Sequence, residues 1–305
     1  MDNITHSLMG GLLSQMGLKK LTARATPTLI IAANLPDVDA VTVLMGVEHL
    51  AMRRGLTHGP IAMLVLPLLL TGLMLLYDRW RPAKDKVRPG WLLLLAFIGT
   101  LSHPALDWLN VYGIRLLEPF SDRWFAGDTL FIIDLWVWVM LLFGFTVSRR
   151  WEKRGSRRYT IPAGVSFLLI GAYIAFNGWL TGQAERTSRE LVGKQYRLEP
   201  QAVVAAPVPI EFWRREILWR GGNLYGFGRY GFIDGVLLTG GGEPTGLGNR
   251  ALLAARGRED VDAFLFWSRM PVVLEEDGRA ILADQRYLDR RARDNFSIDL
   301  GPVDE

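Results

Sequence analysis

Apolar residues in this chain gather into a few long, uninterrupted runs. Residues 61–77 carry no charged side chain, and neither do residues 89–106, although His103 lies inside that run. Residues 129–148 carry only Asp134, and residues 159–184 carry none. At a helical rise of ~1.5 Å per residue, each run is about long enough to cross ~30 Å of hydrocarbon. All four are expected to be transmembrane helices; a buried core helix suits one such run better than four in succession. Two shorter apolar pieces come first, residues 4–18 and 26–35, with Lys19, Lys20 and Arg24 between them. They fit a tilted helical hairpin or a re-entrant pair. A single span over residues 26–47 is the alternative. It would sink Asp37 and Asp39 into hydrocarbon at a cost of several kcal/mol unless they are paired or bound to metal.

After residue 184 the pattern changes. Residues 211–230 mix aromatics with arginine in the alternation of half-exposed strands. Residues 240–248 are glycine-rich but lack the Lys-Ser/Thr pair of a phosphate cradle, which makes them a loop. A short helix is expected over 259–269 and strands over 272–282. The fold class expected is mainly α. A polytopic helical membrane domain occupies residues 1–184, and a small α+β or mostly β extramembrane domain follows over 185–305.

Charge orients this arrangement. Residues 1–184 hold 18 Lys/Arg against 12 Asp/Glu, while the remainder holds 17 against 19. The loop 78–88 contains Arg79, Arg81, Lys84, Lys86 and Arg88; the loop 149–158 contains Arg149, Arg150, Lys153, Arg154, Arg157 and Arg158. By the positive-inside rule both are cytoplasmic. Residues 110–128 then lie outside, as do the segment before residue 61 and everything after residue 184. Membrane topology accounts for the basic clusters, so nucleic acid is not an expected partner. The absence of cysteine excludes thiolate metal sites, cysteine nucleophiles and disulfides. The amino terminus lacks a signal-peptide pattern, because Asp2 and His6 interrupt its apolar run.

Ionisable residues inside or beside apolar runs are costly and so become functional candidates. His6 opens the first apolar piece, and Asp37 and Asp39 follow the second. His58 precedes the run that starts at residue 61, and His103 and Asp107 end the next one. With the topology assigned from Lys and Arg, and the first two pieces folded as a hairpin, all six lie at the outer face. His103 and Asp107, four apart, share a helical face, and a Pro-containing turn lets Asp37 and Asp39 aim at one centre. Imidazole with carboxylate suits Zn²⁺ first, and also Mn²⁺ or Fe²⁺. Six ligands fit a two-metal site, or one metal with carboxylates orienting the histidines. Taken singly, each has an ordinary reading: His6 as an interfacial residue, Asp37 as a helix cap, Asp107 as a surface carboxylate. His49, beside Glu48, is a reserve ligand and more readily a surface residue. Asp134, just inside its apolar run, is a partner for a ligand or a proton acceptor. Arg53 and Arg54 can hold an anionic group such as phosphate, although solvated anchoring is the favoured reading. The aromatics of residues 120–128 suit a membrane-interface belt.

These strings resemble the YdjM-type family, described as LexA-regulated, membrane-bound, metal-dependent hydrolases of bacterial inner membranes. The resembling residues are Asp2-x-x-Thr5-His6, Asn34-Leu35-Pro36-Asp37-x-Asp39, Arg54-Gly55-x-Thr57-His58, Ser102-His103-Pro104-x-x-Asp107, and the strings 120–128 and Asp134. The resemblance covers about residues 1–150 and implies metal binding and hydrolysis without naming a substrate. The expected protein is a multi-pass inner-membrane hydrolase with its site and carboxyl-terminal domain outside the cytoplasm. Its substrate would be an ester or phosphoester of a lipid or lipid-linked molecule. His6, Asp37, Asp39, His58, His103 and Asp107 are the expected ligands, with Asp39 and Asp134 available for catalysis. A transporter using the same cluster for protons or metal is the alternative; polar residues gathered at one face, not through the full membrane depth, favour the enzyme.

Overall fold

A computed structural model describes residues 1–289 and 292–303. The amino-terminal region is helical: α1 (Asn3–Gln15), α2 (Ala25–Asn34), α3 (His49–Met52), α4 (Pro60–Trp80), α5 (Pro89–Asp107), α6 (Leu135–Lys153) and α7 (Thr160–Tyr196). Tight 3₁₀ turns continue from α2 over Leu35–Glu48 and break at Gly46, whose φ of 71° ends the helical path. Among the described residues, four helical stretches are long and apolar enough to cross a membrane: Ala25–Leu44, Pro60–Trp80, Pro89–Asp107 and Thr160–Tyr196. The last three coincide with expected spans. The apolar run that begins at residue 129 turns helical only at Leu135. There the Asp134 carboxylate caps α6 by accepting from the Trp136 and Val137 amides.

Small residues let the helices approach closely. A Cβ on Gly10 would lie 2.7 Å from the Leu29 carbonyl oxygen, and one on Gly99 would lie 2.6 Å from the Ala32 Cβ. α2 therefore packs backbone-close between α1 and α5, a means of association available where lipid offers no hydrophobic drive. The shared core contains Leu12, Leu29, Leu95 and Leu141, all fully buried. On the other faces Leu68, Leu73, Leu76, Phe143 and Leu168 stand exposed, as a hydrocarbon surround requires. α7 outlasts its apolar run. Arg186, Glu190 and Lys194 recur every four residues along its continuation, a spacing that supports helix through neighbouring opposite charges.

The carboxyl-terminal region contains two small antiparallel sheets. One runs in the order β1 (Ala202–Pro207), β2 (Arg214–Gly221), β3 (Leu224–Gly231), β4 (Gly235–Leu238), with β5 (Glu243–Pro244) also pairing with β3. α8 (Arg250–Ala255) and α9 (Glu259–Trp267) follow, then the second sheet, β6 (Pro271–Glu276), β7 (Arg279–Asp284) and β8 (Ser297–Pro302). The β6–β7 hairpin closes on Asp277-Gly278, both at positive φ, the backbone that a two-residue primed turn demands. Val203, Ala205, Ile217 and Trp219 form a core with Val192 of α7. The chain divides into two compact units, Met1–Ala40 with Arg54–Phe176, and Val41–Arg53 with Asn177–Glu305.

Candidate metal centre

Each motif places its ionisable residue by local chemistry. Asp2 caps α1, accepting from the Ile4 and Thr5 amides at 3.0 Å. The Trp138 indole N–H donates to the Thr5 hydroxyl at 2.8 Å. The first turn of α1 is thereby fixed, and it carries His6. His103 comes from the last turns of α5 and Asp107 from its final residue. Asp37 and Asp39 come from the turns after α2. His58 comes from a tight turn before α4, where glycines are needed. A Cβ on Gly55 would collide with Arg115 and Glu118, and one on Gly59 with the Glu118 carbonyl. Arg115 holds Glu118 at 2.8 Å in that wall. Burial pushes the Glu118 carboxyl up, against the opposing pull of Arg115.

Asp37, His58, His103 and Asp107 converge. Each offers one ligand atom, and these atoms lie within 4.8 Å of one another. The His103 Nε2 stands 3.6 Å from both Asp37 Oδ1 and Asp107 Oδ2, and the His58 Nε2 stands 3.7 Å from Asp107 Oδ2. His58 and His103 are both buried, and neither Nε2 has a hydrogen-bond partner. Their other nitrogens are held. The His103 Nδ1 donates to the Ala33 carbonyl at 2.7 Å. The His58 Nδ1 donates to the Thr57 hydroxyl at 2.9 Å, and that hydroxyl donates to Asp39 Oδ2 at 2.8 Å. Both rings are thus locked with the proton on Nδ1 and the Nε2 lone pair turned into the cluster. A buried lone pair without a donor is costly, and metal-ligating histidines take this arrangement. The donor set, two imidazoles and two carboxylates, fits a divalent cation such as Zn²⁺, Mn²⁺ or Fe²⁺.

A profile of the YdjM inner membrane protein family matches residues 1–184. The chain belongs to that family. It is also 24% identical over 183 residues, 57% of this chain, to the uncharacterized protein YfhP of Bacillus subtilis (strain 168). The chain spans about half the length of that relative, 53% of it. No solved structure matches.

Two of the six expected ligands of this YdjM-family chain stand beside the four. Asp39 lies behind His58, its Oδ2 accepting from the Arg54 amide and the Thr57 hydroxyl, both at 2.8 Å, and 3.4 Å from His58 Nδ1. His6 stacks on His103 with ring centroids 3.8 Å apart, and its Nε2 meets Asp107 Oδ1 at 3.2 Å. The same oxygen contacts the Met1 amine. Asp134 caps α6, and its Oδ2 accepts from the Tyr173 hydroxyl at 3.1 Å; it is not among the four converging residues. His49 faces the Gly46 carbonyl and belongs to the other compact unit.

Arg54 corrects the reading of it as a solvated anchor. Only 4% of it is exposed; its Nε lies 2.9 Å from Asp107 Oδ2 and its Nη1 donates to Asn110 Oδ1 at 2.9 Å. The Tyr112 ring flanks the guanidinium at 5.0 Å. Its placement depends on backbone at positive φ and on the loop 110–113. The one signal in the chain for this was its position three residues before Thr57 and four before His58, beside a glycine.

Proposed function

We propose that this protein is a metal-dependent hydrolase of the inner membrane, acting on an ester or phosphoester of a lipid or lipid-linked substrate. The observation that carries this reading is the pair of buried imidazoles with unpartnered Nε2 atoms facing two carboxylates. Asp37, His58, His103 and Asp107 would hold one divalent ion, with Asp39 and His6 supporting them. Four converging groups with two behind them suit one ion better than two. A divalent ion there would act as a Lewis acid, lowering the pKa of water and polarising a carbonyl or phosphoryl oxygen.

The chain's own groups supply the rest. Asp39, through Thr57, keeps the proton of His58 on Nδ1. His6 and Arg54 fix the two oxygens of Asp107, and the Arg54 guanidinium brings positive charge to where an ester or phosphoester oxygen gains electron density. Of the four side chains only that of Asp37 is not wholly enclosed, at 7% exposed, so water and substrate would arrive on its side, and the Asp37 oxygen not given to the ion would accept the proton of the attacking water. Asp134 sets the start of α6. The site and the region after residue 184 face away from the cytoplasm, a reading that the basic loops 78–88 and 149–158 support through the positive-inside rule.

Metal analysis of the purified protein beside His103→Ala and Asp107→Ala tests the reading. One equivalent of divalent metal in the wild type and loss from both variants is expected. Full retention in both variants removes these residues from the site. A metal-loaded protein that cleaves neither acyl-ester nor phosphodiester amphiphiles is not a hydrolase of this class.

A further inference from the structure

An apolar cavity of about 480 Å³ lies between α1, α5 and α7. Met9 and Leu13 of α1, Ser102 and Leu106 of α5, and Ile170 and Gly171 of α7 are among its walls. All belong to the amino-terminal unit. Two features tie the cavity to the metal centre. On α1, Met9 and Leu13 lie three and seven residues beyond His6, on the same helical face. On α5, Ser102 and Leu106 immediately precede His103 and Asp107, so one helix presents ligands on one flank and cavity wall on the next. The His103 flank faces α2, where Nδ1 meets the Ala33 carbonyl.

The dimensions and setting suit a hydrocarbon chain. The α5 wall runs from Ile98 to Leu106, about 12 Å along the axis at the helical rise, and Trp108 and Leu109 extend it past the helix end. One leaflet of a ~30 Å hydrocarbon core is about 15 Å deep. The cavity is walled by two membrane-spanning helices, α5 and α7, so hydrocarbon is the medium from which it fills. Its volume is that of an ordinary ligand site, and its lining is almost wholly apolar side chains. At Gly171 an added Cβ would meet nothing within 4 Å; the missing side chain leaves the α7 wall open there.

We infer that this cavity receives one hydrocarbon chain of the substrate and places its polar head at the His/Asp cluster. The inference rests on the hydrolase reading for the meaning of the head, but not for the binding of the chain. The substrate is then an amphiphile with an anionic or ester head.

The test is photolabelling of the full chain in nanodiscs with dodecyl phosphate carrying a diazirine at its chain end. Label is expected on α5 and α7 residues of the cavity, saturable, and competed by dodecyl phosphate but not by butyl phosphate. Gly171→Phe, which fills the cavity, should cut that labelling about tenfold, since displacing even two methylenes costs about that much. Gly72→Phe, at an equally open, exposed position of α4, should leave it unchanged. Label spread evenly over the exposed face of α4 and the cavity, without saturation, marks ordinary surrounding lipid and overturns the proposal. Cavity labelling untouched by Gly171→Phe overturns it as well. The measurement needs no turnover. Saturable labelling in a protein that binds no metal upholds the chain site and removes only the hydrolase reading.

Discussion

Asp39→Asn removes a charge that never touches the proposed ion. In the native chain the Asp39 Oδ2 accepts from the Thr57 hydroxyl and the Arg54 amide at 2.8 Å and stands 3.4 Å from His58 Nδ1. Asparagine keeps one acceptor oxygen, so the loop between Arg54 and His58 is expected to hold its course. The lost carboxylate weakens the pull on the His58 Nδ1 proton through Thr57, and with it the basicity of Nε2. Groups in this supporting position are typically worth about 10- to 100-fold in metal affinity, about 1.4–2.7 kcal/mol. Competition against a chromophoric chelator, on purified protein in detergent, reads this directly. His58→Ala in the same assay should lose far more, because a ligand is gone. Asp39→Asn binding metal within twofold of wild type while His58→Ala collapses would falsify the supporting role. If both bind normally, the cluster is not where metal goes.

The remaining predictions address packing, pH and topology. Gly99→Val forces side-chain atoms into the Ala32 Cβ at 2.6 Å and the Leu29 carbonyl at 2.9 Å, so melting in detergent should show a loss of about 1–3 kcal/mol; an unchanged melt means α2 and α5 are not so closely held. In the carboxyl-terminal region, burial alone would raise the Asp284 carboxyl, but the Arg286 guanidinium at 2.8 Å overrides it and holds it below its usual range. A lowered folded value means the stabilisation is full above the unfolded pKa and fades as pH falls through the folded one. Asp284→Asn, which leaves Arg286 buried without its charge partner, should therefore cost about 3–5 kcal/mol at neutral pH. That gap from wild type should narrow below about pH 4; a gap that widens in acid contradicts the assignment. The chain has no cysteine, so Lys84→Cys and Thr239→Cys report topology cleanly. A membrane-impermeant maleimide should label residue 239 in cells with a permeabilised outer membrane and residue 84 only after lysis, and the reverse pattern inverts the protein.

What the chain disclosed unaided follows from the range of each force. Hydrocarbon imposes a length and a composition, so α4, α5 and α7 stand out in any window of the right size. The strands β2 and β3 likewise appear in the alternation of residues 211–230, and α9 in 259–269. The start of α6 was less visible, because the apolar run extends back past Asp134 and only cap geometry shows where the helix begins. At the site, residue type was enough to gather His58, His103, Asp37 and Asp107 as candidates. It was not enough to separate them from Asp39 and His6. That separation depends on which nitrogen of each ring is already spoken for, by Ala33 through its backbone and by Thr57 through its hydroxyl. Arg54 was misjudged for the same reason. A basic residue at a membrane boundary is ordinarily solvated, and only the fold around Asn110 and Asp107 removes it from water.

The charge balance of the cluster supports the proposed cation alongside the geometry. Asp37, Asp39 and Asp107 sit together with side chains at most 7% exposed. Among the described ion pairs, Arg54 and the Met1 amine both meet Asp107, while Asp37 and Asp39 face imidazoles. In the proposed site the imidazoles ligate as neutral groups, and buried carboxylates beside them are expensive without a balancing charge. A transport site could relieve this by protonating a carboxylate, but that would leave unused the lone pairs that Ala33 holds ready at His103 and Thr57 at His58. A bound divalent cation relieves the charge and uses those lone pairs together. The two imidazoles are oriented in advance for the cation that the proposed function calls for.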